Sequence, residues 1–277
     1  MSETLKTVDQ ILQLAKQEQQ KYASGFWAPS LQKDVRFTEI TTAQQKRLIK
    51  SVIDSPVFNS EFIYTLHDIF KENCIDEDVN IEDLTILDKL IISLGLRAAC
   101  IGPEVDIEVT SEDGNKTFNH TINLIELYDK IKNKIKQTKS KTITQGVFKI
   151  ECNIPTIKIE YDLERELRGK VENIEIQTNE ELRNVLGDAF IGEVVKYIQG
   201  VSIKEGEDYT KVDWSDLSFE ERIKVVDTFG MKMLKEIIKY INKIKEEVDK
   251  IEVINFEYSG EKFERRLTVD GRFFTIS

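Results

Sequence analysis

Apolar residues recur at spacings of three and four through most of this chain, and the densest run lies between Glu82 and Val109. Leu84, Leu87, Ile91, Leu94 and Ala98 fall on one helical face. Ile86, Leu90 and Ile101 widen it, which predicts a helix buried on more than one side. Asp83 or Thr85 supplies a side-chain acceptor for a free amide at its start. Gly102 permits a left-handed turn and Pro103 cannot donate to a continuing helix, so the helix stops there. Beyond it Val105, Ile107 and Val109 alternate with Asp106 and Glu108, the period of a strand with one dry face. The stretch is predicted to be the helix and strand that hold the first half together.

The same patterning continues on both sides. Residues 4–22 predict an amphipathic helix with a single narrow seam of Leu5, Val8, Leu12 and Ala15, docked either on its own domain or on a partner. Residues 25–40 predict two short strands around a polar turn. Thr42 and Gln45 have the spacing of a capping box, opening a helix that closes at Ser55-Pro56; Asn59 or Ser60 then caps another carrying Phe62, Leu66 and Phe70. Glu112-Asp113-Gly114 is a hairpin signal with a return strand over 118–122, and Leu124, Leu127 and Ile131 continue as a helix. The polar link 136–145 marks a domain boundary.

In the second half, 147–162 predicts extended segments flanking Pro155, followed by a charged stretch over 163–177. Thr178 and Glu181 open a helix, and 200–216 reads as turn-rich. Ser218 and Glu221 form the clearest capping box, opening a helix broken at Gly230. Leu234, Ile237, Ile241, Ile244, Val248 and Ile251 continue as a core stripe, and 253–269 predicts a hairpin before the tail.

Composition narrows the classes. With Lys+Arg 39 against Asp+Glu 50 the chain carries a net charge of −11 at pH 7, which argues against a nucleic-acid binder. Cys74, Cys100 and Cys152 are widely spaced and form no C-x-x-C pair, so buried thiols are expected rather than a metal ribbon or disulfide frame. No apolar run reaches the roughly 20 residues of a membrane helix. His67 and His120 are the only histidines, and no nucleophile elbow, phosphate loop, dinucleotide fingerprint or zinc-protease motif is present. Clustered acids such as Asp76-Glu77-Asp78 lack the spaced ligands of a calcium loop. The expectation is a non-enzymatic protein with neither cofactor nor metal.

Four stretches carry a resemblance to a known family. They are APSLQKDVRFTEITTAQQKRLI (28–49), FIYTLHDIFKENC (62–74) with the helix and strand over 84–109, VVKYIQGVSIKEGEDYTKVDWSDLSFEERIKVVDTF (194–229), and the terminal helix, hairpin and LTVDGRFF (267–274). In order and spacing the chain resembles the baseplate-hub assembly family of T4-like contractile-tailed bacteriophages. Some of those relatives place cysteine pairs in the last hairpin; the corresponding turn at Tyr258-Ser259-Gly260 has none, so no metal is expected. The resemblance implies a protein that promotes assembly of the central baseplate hub in the host cytoplasm. Its partners would be other hub, wedge or tape-measure proteins, within a symmetric assembly.

The expected fold is α+β, mainly helical with two or three small antiparallel hairpins. The expected units are an N-terminal amphipathic helix over 1–24, an α+β domain over 25–140 and another over 146–277. Leu5, Val8, Leu12, Trp27, Trp214, Phe273 and Phe274 are the candidate partner-binding residues, because aromatics and exposed apolar seams concentrate at interfaces. Two rival readings are a structural subunit retained in the virion and an enzyme with a carboxylate site assembled only in space.

Overall fold

A computed structural model describes residues 7–54, 60–110, 117–135, 139–172, 187, 190–258 and 260–274. The fold is α+β, with helices dominant and every strand pairing antiparallel. The chain divides into two compact units. One comprises residues 1–81, 88–134 and 267–277, and the other 82–87 and 135–266. Residues 267–274 thus fall in the first unit and 82–87 in the second.

In the first unit, helix α1 (Val8–Lys21) precedes a hairpin of β1 (Ser24–Ala28) and β2 (Lys33–Phe37). Phe26, Ala28, Val35 and Phe37 bury one hairpin face, as the alternation requires. Helices α2 (Thr42–Asp54) and α3 (Ser60–Asn73) follow. The cap on α2 is Thr41, one residue earlier than expected. Its hydroxyl accepts from the Gln44 amide at 3.2 Å, and Gln44 Oε1 accepts from the Thr41 amide at 2.9 Å. Both threonines fit the local signal; Gln44 decides between them because it is buried and its Nε2 also donates to Asn73 Oδ1 at 2.7 Å.

Helix α4 (Ile86–Cys100) is the predicted core helix, with Ile91, Ile92 and Leu94 fully buried. Gly95 lets it approach β1 closely, since a Cβ there would lie 2.2 Å from Phe26 Cδ1. Gly102, at φ 135°, ends the helix as expected, and β3 (Glu104–Thr110) pairs with β4 (Thr117–Asn123) before α5 (Leu124–Lys134). The signal at Glu112-Asp113-Gly114 lies outside the described residues, as do Ser55, Pro56 and Asn59.

Arg97 closes this unit. It is 3% exposed, and its guanidinium donates to three carbonyls: Phe273 O at 2.7 Å, Gly102 O at 2.6 Å and Glu104 O at 3.4 Å. Burial pulls its pKa below the usual arginine value. One side chain therefore ties the end of α4, the start of β3 and the tail together. Arg97→Met keeps the stem but removes every donor, and is expected to cost about 2–3 kcal/mol in urea unfolding. A cost near zero would mean that water replaces the guanidinium at those carbonyls.

The second unit centres on a four-stranded sheet of order β5-β6-β7-β8, formed by Lys141–Gln145, Phe148–Cys152, Ile198–Glu205 and Asp208–Val212. The polar link expected as a domain boundary starts where the two units divide and ends in the edge strand β5, and the turn-rich stretch holds the β7–β8 hairpin, turning at Gly206, φ 68°. Ile143, Ile150 and Val201 stand in register and are buried, which is the sheet's dry face.

A correction falls on 157–172, expected as an extended segment and then a charged stretch, which is helix α6 (Ile157–Glu172). Ile157, Ile159 and Tyr161 alternate like a strand, but the Thr156 hydroxyl accepts from the Ile159 amide at 3.3 Å and starts a helix. Ile157 and Leu163 are its buried apolar contacts. The Thr178 and Glu181 signal lies outside the described residues; helix α7 is described over 190–196.

The remaining elements follow expectation. Helix α8 (Phe219–Asp227) opens with the Ser218–Glu221 capping box, and α9 (Met231–Glu252) starts after a break at Gly230. Ile237, Tyr240, Ile241 and Ile244 are its buried stripe. The hairpin of β9 (Val253–Tyr258) and β10 (Glu261–Arg266) stacks Phe256 on Phe263 at 5.5 Å.

Candidate partner-binding surfaces

Of the seven residues singled out from sequence, two lie on one exposed helix, two are set into separate surfaces and two are core. Leu5 lies outside the described residues. Helix α1 begins at Val8 because Thr7 and Gln10 cap it reciprocally: the Thr7 hydroxyl accepts from the Gln10 amide at 3.4 Å, and Gln10 Oε1 accepts from the Thr7 amide at 3.0 Å. None of its residues is buried. Val8 is 70% and Leu12 61% exposed, and Ile11 and Leu14, which the narrow seam overlooked, are exposed as well. A helix of this length is marginal alone in water, and its stability normally comes from burying an apolar face. Here that face is uncovered.

Trp27 is half-buried on the outer face of the β1–β2 hairpin. Its backbone amide donates to the Tyr128 hydroxyl at 2.6 Å, and Lys132 Nζ sits 5.3 Å from the ring centre. Lys132 also pairs with Asp34 at 3.1 Å, directly across the hairpin from Trp27. The indole is thus half-buried against its own domain, with Lys132 beside the ring.

Trp214 is 5% exposed, in a short 3-10 turn (Trp214–Asp216), and its indole N–H donates to Ile198 O at 2.9 Å. It lies in the wall of a cleft of about 350 Å³ bounded by α6, α7, β7 and α8. Leu163, Val195, Ile198 and Phe219 make the cleft apolar, and all four are themselves mostly buried. Arg222 lies beside the indole, 5.8 Å from its ring centre, and donates from Nε to Trp214 O at 3.1 Å and from Nη2 to Ser215 O at 3.0 Å. Lys196 also lines the cleft and pairs with Glu193 at 3.5 Å. Burial pulls the Lys196 ammonium down, but the carboxylates of Glu193 and Glu160 outweigh it and hold its pKa above the usual lysine value. Sequence patterning missed Arg222 and Lys196, since each looks like an ordinary solvated helix charge.

The aromatic tail is a correction. Phe273 is 6% exposed and Phe274 fully buried, with Phe274 6.3 Å from the Phe62 ring and its carbonyl accepting from Gln45 Nε2 at 2.9 Å. These rings are packed into the first unit's core rather than exposed on its surface. The reason is tertiary, because Arg97 and Gln45 capture the tail's backbone carbonyls.

Burial raises the pKa of all three cysteine thiols, with Cys152 pushed up to about 12, so they are protonated at neutral pH. Among the described residues no group of three or more His, Cys, Asp or Glu is placed to hold a metal ion, and no helix is long and apolar enough to cross a membrane.

Comparison with curated proteins and with solved structures found no match. A family model described as T4 bacteriophage base plate protein matches residues 25–258, which leaves α1 and the tail outside the match. That span takes in the β1–β2 hairpin, the core helix α4, the four-stranded sheet and the Trp214 cleft, well over half the chain, and on it this protein belongs to the T4 bacteriophage base plate protein family.

Proposed function

We propose that this baseplate protein promotes assembly of the central hub by contacts with other hub, wedge or tape-measure proteins, catalyses no reaction, and leaves once the hub is built. The observation that carries the reading is α1, a capped helix with no buried residue and four exposed large apolar side chains. Fully burying one such side chain is worth about 1.5–3 kcal/mol, so a partner covering this face gains substantially. The work would take place in the host cytoplasm during tail assembly.

Deleting residues 1–22 is expected to leave the circular dichroism and unfolding midpoint nearly unchanged while weakening capture of baseplate proteins from infected cells. Global unfolding of the truncation would place α1 in the core instead, and undiminished capture would remove it from the interface. Mass spectrometry of purified particles tests departure separately. Stoichiometric copies there would replace the departing factor with a retained structural subunit.

A further inference from the structure

Helix α9 carries its charges in the reverse of the order that suits a helix. Residues 231–245 hold Lys232, Lys235, Lys239, Lys243 and Lys245 against the single Glu236, whereas 246–252 hold Glu246, Glu247, Asp249 and Glu252 against Lys250. The start of a helix is the positive end of its backbone dipole and favours acids, yet no acid stands in the first turn of α9. The acids at the far end are used within the fold: Asp249 and Glu252 pair with Arg266, and Glu247 pairs with Lys250. The lysines are not. With Ile237, Ile241 and Ile244 buried, Lys232, Lys235, Lys239 and Lys243 fall in one exposed stripe at spacings of three and four, about 16 Å long. Among the described residues none of these four hydrogen-bonds to or pairs with a carboxylate. Glu236 flanks the stripe and is held by Lys141 at 2.8 Å; that bond, with the charges of Lys141, Lys239 and Lys243, lowers its pKa. Lys141 and Glu236 cancel, so the four lysines stand as surplus positive charge on a chain of net charge −11. Like charges at this spacing repel one another as well as the dipole, and local rules are broken in this way where function compensates.

We infer that this stripe is a docking surface for an acidic helix of a partner protein, whose row of carboxylates faces the four lysines. A helix holds carboxylates at the same three-and-four spacing with no further ordering. Nucleic acid fits less well, because the stripe offers neither arginine nor an aromatic ring for bases to stack on, and the chain as a whole is acidic. A lipid surface also fits less well, because the apolar side of α9 is buried in its own unit and has nothing to insert. The inference rests on the reading of this chain as a binding protein and adds a second surface to α1. The two are separable, since α1 lies outside the family match and α9 lies within it.

The test uses the full-length chain. The probe is the fluorescein-labelled peptide Ala-Glu-Ala-Gln-Glu-Ala-Ala-Gln-Glu-Ala-Ala-Gln-Glu-Ala-Ala-Gln, whose glutamates repeat the lysine spacing in one helical row. Its control has the same composition with the glutamates split between opposite faces. At low salt the row peptide is expected to gain anisotropy saturably and to bind at least about fivefold more tightly than the control, and added salt should weaken it. Lys232→Glu with Lys235→Glu should abolish binding without lowering the urea midpoint, because an acid near the helix start suits the dipole. Lys239→Gln with Lys243→Gln should weaken binding at least about threefold. No anisotropy change up to about 0.5 mM protein overturns the inference, as does equal binding of the two peptides or full binding by either variant. Tighter binding of an oligothymidine of equal charge overturns it in favour of nucleic acid. A lowered midpoint in the glutamate variant overturns it too, since the lysines would then serve the fold itself. None of these outcomes bears on the deletion of residues 1–22, so a failure here is distinguishable from a failure of α1.

Discussion

Truncating Phe274 to alanine is expected to destabilise the protein by about 3–5 kcal/mol, the cost of deleting a fully buried ring. Only three residues follow it in the sequence, a position where chains are ordinarily loose and substitutions cheap. Here the ring is 0% exposed, 5.3 Å from Phe273 in an edge-on arrangement and close to Phe62, so its removal leaves a cavity among aromatics that cannot collapse freely. Urea unfolding of the purified variant measures the loss. A change under about 1 kcal/mol would mean that the tail is a surface feature after all and would restore it as a candidate for partner contact.

Ile91→Ala is expected to cost about 2–5 kcal/mol, read from the same unfolding experiment. Ile91 is fully buried in α4, flanked on the helix by Ile92 and Leu94, which are buried to the same degree. The width of that buried face makes the site rigid, since neighbours on both sides of the helix are already packed. A loss below about 1 kcal/mol would place Ile91 on the outer face. Combined with Phe274→Ala, the pair also tests whether the tail and α4 act as one cooperative unit, as the bond from Arg97 to the Phe273 carbonyl requires. Non-additive costs are the expected result.

Some of this structure is written plainly in local pattern. The capping box at Ser218, the break at Gly230, the stop at Gly102-Pro103 and the stripe on α9 each depend on residues within a turn or two of one another. Such signals survive in isolation because their hydrogen bonds and periodicity are local. Other assignments turned on distant partners. The alternation of Ile157, Ile159 and Tyr161 suits a strand as well as a helix. The hydrogen bond from the Ile157 amide to Leu84 O and the bridge of Thr85 with Thr156 supply the tertiary setting in which the helix begins. Likewise Lys141–Gln145 is polar enough for a linker, and becomes a strand because Ile143 finds Ile150 across the ladder.

The candidate surfaces divide in the same way. Val8 and Leu12 were legible as an apolar seam, and the structure leaves that seam uncovered. Trp27, Trp214, Phe273 and Phe274 were chosen for residue type alone, and type does not specify depth. Trp214 lines a cleft because Ile198 O accepts its indole N–H and Arg222 braces its turn, and both partners lie several residues away along the chain.

By itself, the sequence determined the class of fold, the helix and strand at the centre of the first half, the local stops and starts, and the family to which the chain belongs. Those features are carried by short-range periodicity and by the order of motifs. Only the tertiary structure decided that the tail is core, that four strands make one sheet, and that Arg222 stands beside a cleft. Each of these depends on burial, and burial is fixed by contacts between residues far apart in the chain. Sequence spacing has no measure of that.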